Sequence, residues 1–144
     1  MNNILEQAQA IKNDIVEYRR TIHENPEVGD TLPKTKAYVM DKLRELGYEP
    51  KEICESGIVA TIEGPKPGKT FLLRADMDAL PMEETPNCEF AATNGAMHSC
   101  GHDMHTAMLL GAAKLLRQNQ DQIEGTVKLV FQPDEEGFTG AKKW

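Results

Sequence analysis

The sequence predicts an α/β fold with a mixed sheet over residues 1–144, with elements in the order ααβββαβ. Apolar residues recur at helical spacing in the first 46 residues, and this period gives way to short strand-like stretches after residue 50. The composition, 40% hydrophobic and 27% charged, is typical of a globular chain. No internal repeat and no linker divides the sequence, so one domain is expected.

The first two elements are predicted to be amphipathic helices. Apolar residues between Ile4 and Ile22 follow one another at steps of three and four, which places them on one stripe. Pro26 ends this helix near residue 24, because proline disfavours helical geometry in the residue before it. A second helix is expected over about 33–46, with Gly47 as its left-handed C-terminal cap.

Strands dominate the middle of the chain, and a largely apolar helix precedes the last strand. The stretches with strand-like composition are 52–54, 58–62, 70–74 and 126–131. Residues 55–57 are expected to close a hairpin, and the Gly and Pro residues of 64–68 a turn. The helix predicted at about 104–117 is apolar around most of its circumference, so it is expected to be covered on more than one side.

Charge and cysteine content exclude several classes of function. Sixteen Lys and Arg against 23 Asp and Glu give 16 − 23 = −7, with no basic run, so nucleic acid and anionic membranes are poor partners. No apolar segment is long enough to cross a bilayer and no export leader is predicted. Three unevenly spaced cysteines do not form a disulfide framework, which favours the reducing cytoplasm.

Three polar clusters follow predicted strands or precede the apolar helix. Asp76 and Asp78 follow one strand, Glu135 and Glu136 follow another, and a segment around residues 98–103 leads into the helix. The carboxyl ends of strands are where sites form in open α/β sheets. The clusters are therefore expected to meet at one edge of the sheet.

Cys100 and His102 have ligand chemistry that suits a divalent ion such as zinc, nickel or manganese. Two residues apart in an extended loop, they can face the same ion, although most such pairs are unrelated neighbours. His105 is a rival ligand, because it can share a helix face with His102. The alternative role for His105 is that of a hydrogen-bonded histidine near the start of the helix, without a metal.

Glu135 and Glu136 place two carboxylates after an apolar strand, where a cation would offset the cost of burying their charge. Neighbouring side chains of extended backbone point in opposite directions, so one glutamate can ligate while the other acts as general base. The alternative is a solvated loop, which is the interpretation preferred for the similar pair Glu83 and Glu84. Asp103 is expected to cap the helix beginning near Met104.

Asp76 and Asp78 also lie two residues apart on one side of an extended segment. Either carboxylate can accept the free ring N–H of a ligating histidine. The alternative is that Asp76 and Asp78 only cap the end of the strand and do not support a metal ligand. Cys54 and Cys88 have no such cluster nearby and are predicted to be inert buried or surface thiols.

Four segments resemble the motifs of one enzyme family in the same order along the chain. They read RRTIHENPE at 19–27, RADMDALPMEE at 74–84, MHSCGHDMHT at 97–106 and FQPDEEG at 131–137. Together they resemble the amidohydrolase branch of the M20 metallopeptidase family, which includes aminoacylases, hippurate hydrolases, plant auxin-conjugate hydrolases and N-acetyldiaminopimelate deacetylases. The resemblance implies a zinc-peptidase-like catalytic domain that cleaves the amide of small N-acyl amino acids, and a homo-oligomer.

The resemblance also implies a role for each site residue. Cys100, His102 and Glu136 match metal ligands, and Glu135 matches the general base. Asp78 matches an aspartate of the catalytic site, while Asp76 stands where related peptidases have a ligating histidine. The complete enzymes hold two divalent ions, of zinc, manganese, nickel or cobalt, and a second ion about 4 Å away can stabilise the developing oxyanion.

Two features of the sequence depart from that family. Leu32 replaces a common glutamate and Asp134 a common alanine, and neither touches an inferred ligand. The family uses two further histidines, but no histidine follows His105. The sequence is therefore expected to be the N-terminal part of a catalytic domain, without the lid or dimerisation domain, inactive alone and self-associating. The competing hypothesis is a catalytically silent piece that oligomerises or binds partners.

Overall fold

A computed structural model describes residues 3–144, and the chain begins with two helices where the sequence predicted one. Helix α1 spans Ile4–Ala10 and α2 spans Lys12–Glu24. The break falls at Ile11, whose backbone leaves the helical region with φ −97° and ψ 11°. The spacing of the apolar residues identified the buried face of the helices correctly, but spacing alone does not reveal a break of one residue. Helix α1 buries no residue, so the buried part of the stripe begins at Ile11.

The second predicted helix and the hairpin form close to their expected places. Helix α3 spans Pro33–Glu45, and Gly47 follows it in the left-handed conformation with φ 85°. The Gly47 N–H donates to the carbonyl of Arg44, which closes the end of the helix. Strand β1 spans Lys51–Ile53 and pairs antiparallel with β2, Gly57–Glu63.

A parallel pair of strands in the mixed sheet positions the candidate site. Strand β3 spans Lys66–Asp76 and β4 spans Glu124–Gln132, and the sheet order is β1-β2-β4-β3. Helix α4, His102–Gln118, lies in the crossover between β3 and β4. Because β3 and β4 run parallel, their carboxyl ends adjoin, with Asp76 opposite Gln132. The mixed α/β fold predicted from the sequence is confirmed.

Strand β3 starts earlier than predicted. Residues 66–68, expected to lie in the turn, belong to the strand, with an irregular register between Lys66 and Thr70. Pro67 is tolerated because β3 is an edge strand among the described residues, and its missing N–H interrupts no pairing on the open side.

The core lies between the sheet and the helices. Helix α4 contacts α1, α2 and α3 as well as β3 and β4, so it is covered on more than one side as expected. The largest fully buried apolar side chains come from both layers: Leu32, Leu43, Ile58, Ile62, Met77, Leu110, Leu129 and Phe131. Met104 and Met108 stay exposed on α4.

The outer edge of β3 is open within residues 3–144. Phe71 and Leu72 are 59% and 60% exposed, and Leu73 is 40% exposed, on an edge to which no described strand pairs. Large apolar residues are thus exposed on both faces of this strand. No helix in the described part of the chain has the length and apolar character needed to span a membrane.

Candidate metal centre

The ends of three elements meet at the carboxyl edge of the sheet. Asp76 is the last residue of β3, the segment 133–137 follows β4, and α4 begins at His102. Gly101 precedes the helix with φ 87°, a left-handed conformation that glycine adopts without a steric penalty. This turn brings the segment 98–101 alongside the residues that leave β4.

Cys100, His102 and Glu136 form a group in which one ligand atom from each lies within 4.8 Å of the others. His102 is buried, Glu136 is half-buried and Cys100 is exposed. The Oε1 atom of Glu136 is buried and has no hydrogen-bond partner among residues 3–144. A buried carboxylate oxygen without a partner is costly, and a cation would satisfy it.

The spacing around His102 Nε2 also suits an ion. This atom lies 3.8 Å from Glu136 Oε1, 3.6 Å from Glu135 Oε2 and 3.7 Å from Asp76 Oδ1, all beyond hydrogen-bond distance. Two atoms that each lie about 2.1 Å from one tetrahedral ion are about 3.4 Å apart. The residues present therefore fit a divalent metal.

Asp78 orients the ring of His102. The Nδ1 atom of His102 lies 2.9 Å from the backbone oxygen of Asp78 and 3.4 Å from its carboxylate Oδ1. Donation from Nδ1 leaves Nε2 to face the ligand group. Burial alone would lower the pKa of His102, but the hydrogen bonds to Asp78 and the charge of Asp76 raise the pKa to about 9.

The carboxylate of Asp78 also holds the backbone of the two glutamates. Its oxygens accept hydrogen bonds from the N–H groups of Glu135 and Glu136, at 3.0 and 3.1 Å. Burial would raise the pKa of Asp78, but these hydrogen bonds and the contact with His102 keep it below the ordinary value of 3.8. One side chain thus connects the ligating histidine with the segment after β4.

Glu135 and Glu136 do not point in opposite directions, as extended backbone would require. Strand β4 ends at Gln132, Asp134 has φ 54°, and the residues after it form a turn. Both glutamate side chains therefore approach His102 Nε2. The alternative of two exposed glutamates in a solvated loop is also wrong for this pair, since each residue is partly buried.

Asp76 contacts His105 and Arg74. Its Oδ1 atom lies 2.7 Å from His105 Nδ1, and its Oδ2 atom accepts from Arg74 Nη1 at 2.7 Å. Burial opposes ionisation, but the His105 hydrogen bond and the charges of His102 and Arg74 lower the pKa of Asp76. Ligand atoms of Asp76, His102 and His105 also lie within 4.8 Å of one another. We favour the Cys100 group because both Asp76 oxygens already have partners.

Several features of the site differ from the sequence expectations. Helix α4 begins at His102 with Gly101 as N-cap, so Asp103 lies in the first turn and is not the cap. Its buried carboxylate instead contacts Arg19 and His23. Glu84 is also buried and contacts His23, which corrects the interpretation of a solvated loop. No spacing rule flagged this cluster, although its members fall within the quoted motifs.

Protonation states around the centre follow from its surroundings. The Glu136 carboxylate beside the Cys100 thiol, together with the charges of Glu135 and Asp76, raises the pKa of Cys100. Burial lowers the pKa of His98 to about 4, so this ring is neutral at pH 7. Neither ring nitrogen of His98 has a partner in the described part of the chain. The three cysteines are free thiols.

A family model and several known proteins match this sequence. A sequence model of the peptidase family M20/M25/M40 matches residues 72–144. Thermostable carboxypeptidase 2 of Saccharolobus solfataricus is 49% identical over 146 aligned positions, which cover 93% of this chain and 37% of that protein. An N-acyl-L-amino acid amidohydrolase of Geobacillus stearothermophilus is 42% identical over 132 aligned positions. This alignment covers 90% of this chain and 36% of that protein.

A solved structure is also similar in fold. It is a dinuclear metal-binding peptidase of the M20 family from Bacillus subtilis, with a TM-score of 0.89 and 38% identity. The match covers 94% of this chain and 38% of that one. The chain therefore spans a little over a third of the length of these relatives.

Proposed function

This chain belongs to the peptidase family M20/M25/M40, and from that premise we propose that it carries part of the divalent-metal centre of an amidohydrolase. The substrates proposed are small N-acyl amino acids. The observation that carries the proposal is the convergence of Cys100, His102 and Glu136 at the carboxyl ends of β3 and β4. Two segments distant in sequence, the start of α4 and the turn after β4, supply donor atoms to one point.

The three proposed ligands suit zinc, nickel or cobalt better than manganese, because the Cys100 thiolate is a soft donor. The complete enzymes of the resembled branch hold two ions, and we propose the same for a protein that contains this chain. A bound divalent ion supplies Lewis acidity, which lowers the pKa of water towards ~7 and polarises the amide carbonyl. Asp78 supports the centre by orienting His102 and the glutamate backbone.

Glu135 is the proposed general base. Its Oε2 atom lies 3.6 Å from His102 Nε2, and its side chain is 36% exposed, so it reaches both the ligand group and solvent. Glu135 takes a proton from the attacking water as the oxygen bonds to the acyl carbon. It then gives that proton to the amide nitrogen as the carbon–nitrogen bond breaks, which yields a carboxylic acid and a free amine.

One relative supports the substrate class, and the composition of the chain supports its proposed partners and location. The Geobacillus relative is named for N-acyl-L-amino acids, and we extend that class to a protein containing this chain. The acidic net charge and the absence of a basic run argue against nucleic acid as a partner. Free Cys54, Cys88 and Cys100 fit the reducing cytoplasm, which is the proposed location.

One observation favours a second candidate function, a silent domain that associates with itself. The exposed edge of β3 offers unpaired backbone and large apolar side chains to another strand. The chain supplies three of the five ligands that the resemblance implies. We therefore expect the 144 residues alone to bind metal without releasing amino acid from hippurate.

A chimera tests the proposed hydrolysis. This chain would replace the matching residues of the Geobacillus amidohydrolase, and amino acid release from N-acetyl amino acids and hippurate would be measured with each added metal. We expect release that is abolished by Glu135→Gln in the chimera. A chimera with the circular dichroism spectrum of its parent and no activity with any of these metals would contradict the proposal and favour the silent domain.

A further inference from the structure

A buried cluster of charged side chains adjoins the candidate metal centre without belonging to it. It comprises Arg19 and His23 of α2, Glu84 of the loop after β3, and Asp103 of α4. We propose that His23 is a positioning residue, which ties that loop to the first turn of α4 and so fixes the relative placement of Cys100 and His102. The proposal rests on the proposed function insofar as these two residues are the metal ligands.

His23 contacts a carboxylate through each ring nitrogen. Its Nδ1 atom lies 2.7 Å from Asp103 Oδ2, and its Nε2 atom lies 3.0 Å from Glu84 Oε1. The side chains of His23 and Glu84 are each 5% exposed and that of Asp103 is 1% exposed. A single imidazole thus bridges two segments that are 19 residues apart in sequence.

The Asp103 end of this bridge fixes the start of α4. Its Oδ2 atom also accepts from Arg19 Nε at 2.8 Å, and its Oδ1 atom accepts from the Met104 N–H at 2.9 Å. Both carboxylate oxygens of Asp103 therefore have hydrogen-bond partners. Because Asp103 directly follows His102, a fixed Asp103 side chain fixes the backbone that carries the ligating imidazole.

The Glu84 end fixes the middle of the loop that carries Cys100. The Oε2 atom of Glu84 accepts a hydrogen bond from the Ala92 N–H at 2.7 Å, so Glu84 closes a turn within the loop. Residues 77–101 form no helix or strand. Their β-type backbone pairing is limited to two isolated bridges, of Ala79 with Val28 and of Leu80 with Met97. The cluster is thus a principal anchor of the loop.

Charged side chains surround the His23 ring, because Arg19 Nη2 also lies 3.2 Å from its Nδ1 atom. Without His23, the Oε1 atom of Glu84 would lose its hydrogen-bond partner. A buried acceptor that is left unsatisfied costs free energy. The loop is then expected to move so that Glu84 reaches water.

Hydrogen exchange on the metal-free chain tests the anchor independently of metal binding. In His23→Leu we expect backbone amides of residues 98–103 to exchange at least tenfold faster. The matched control is Tyr48→Phe, which removes a different buried hydrogen bond, from the Tyr48 hydroxyl to the carbonyl of Ala113 in α4. This control is expected to lower thermal stability without changing exchange at 98–103.

Cobalt binding then tests the consequence for the centre. We expect His23→Leu to weaken cobalt binding about tenfold, the lower end of the range for residues that orient ligands, and to reduce the thiolate-to-cobalt absorption band. Glu84→Gln is expected to retain the cobalt affinity and the absorption band, because the glutamine oxygen can still accept from the Ala92 N–H and its amide N–H can donate to His23 Nε2. If His23→Leu does not fold, His23→Gln replaces it under the same criteria.

The outcomes separate the two proposals. Unchanged exchange at 98–103 in the His23 variant, or an equal increase in Tyr48→Phe, would overturn the positioning role. Faster exchange together with unchanged cobalt affinity and spectrum would also overturn it. A cobalt band absent from the unsubstituted chain, with exchange responding as expected, would instead contradict the metal centre and leave His23 only as the anchor of the loop.

Discussion

The Nδ1 atom of His102 lies 2.9 Å from the backbone oxygen of Asp78, whose carboxylate accepts hydrogen bonds from the N–H groups of Glu135 and Glu136. Asp78, two residues after the end of β3, therefore holds groups from α4 and from the segment after β4. This linkage explains how side chains on three separate elements converge at one point. It also places the Asp78 carboxylate between the ligating histidine and the backbone of the two glutamates.

Asp78→Asn is expected to weaken metal binding by about 10- to 100-fold. Asparagine keeps one acceptor oxygen, so one of the two buried N–H groups loses its partner, which also destabilises the fold by roughly 1–3 kcal/mol. Zinc titration and urea unfolding measure the two effects. Asp121→Asn, at an exposed aspartate, serves as the control. Unchanged zinc affinity in Asp78→Asn would remove Asp78 from the centre.

The metal-free chain is expected to be most stable near pH 6.5. His98 has a pKa of about 4, so stability falls as pH drops from 6.5 towards 4, because the unfolded chain then binds the proton more readily. His102 has a pKa of about 9, so its contribution, up to about 3 kcal/mol, is lost as pH rises from 6.5 through 9.

Urea unfolding with a chelator at a series of pH values measures this profile. His102→Ala should remove the fall on the alkaline side while leaving the acid side in place. Stability that rises steadily between pH 6.5 and 9 in the unsubstituted chain would show that His102 is not held as a cation by Asp78 and Asp76.

Glu135→Gln in the chimera is expected to lower kcat by roughly 10² to 10⁴, the usual cost of losing a general base. Metal content should not change, because glutamine removes only the proton acceptor at a position that is not a proposed ligand. Steady-state rates and metal analysis of the same preparation separate the two effects. A rate within about threefold of the unsubstituted chimera would exclude Glu135 from the proton transfer.

The open edge of β3 predicts self-association of the chain at tens of micromolar. Phe71 and Leu73 lie on one face of the edge strand and are more exposed than large apolar residues usually are. Light scattering should give a dimer or larger species, and Phe71→Lys with Leu73→Lys should give a monomer. Leu5→Lys, at an exposed apolar residue of α1, is the control and should not dissociate the species. A monomeric unsubstituted chain would contradict the prediction.

Helix faces and the positions of the strands along the chain were predictable because each depends on local spacing. The stripe that contains Tyr18 and Ile22 identified the buried face of α2, and the apolar run of residues 126–131 identified most of β4. The break at Ile11 and the early start of β3 at Lys66 were not predictable, because each depends on packing and pairing with distant segments.

The proximity of the polar side chains at the site was predictable, but the directions in which they point were not. The parallel ends of β3 and β4 brought Asp76, Asp78 and the glutamates together as expected. That both glutamates face His102 depends on the turn around Asp134, whose positive φ has no simple sequence signal. The contacts of His23 with Glu84 and Asp103 join residues 61 and 80 positions away, which lies beyond any local pattern.

Equilibrium dialysis against zinc tests the central claim, that Cys100, His102 and Glu136 form a metal site. Three chains would be compared: the unsubstituted chain, Cys100→Ser with His102→Ala, and Cys88→Ser with His105→Ala as a control of the same residue types. We predict bound zinc in the unsubstituted chain and in the control, and its loss in the Cys100 and His102 variant. Equal zinc content in all three chains, or loss in the control alone, would contradict the assignment.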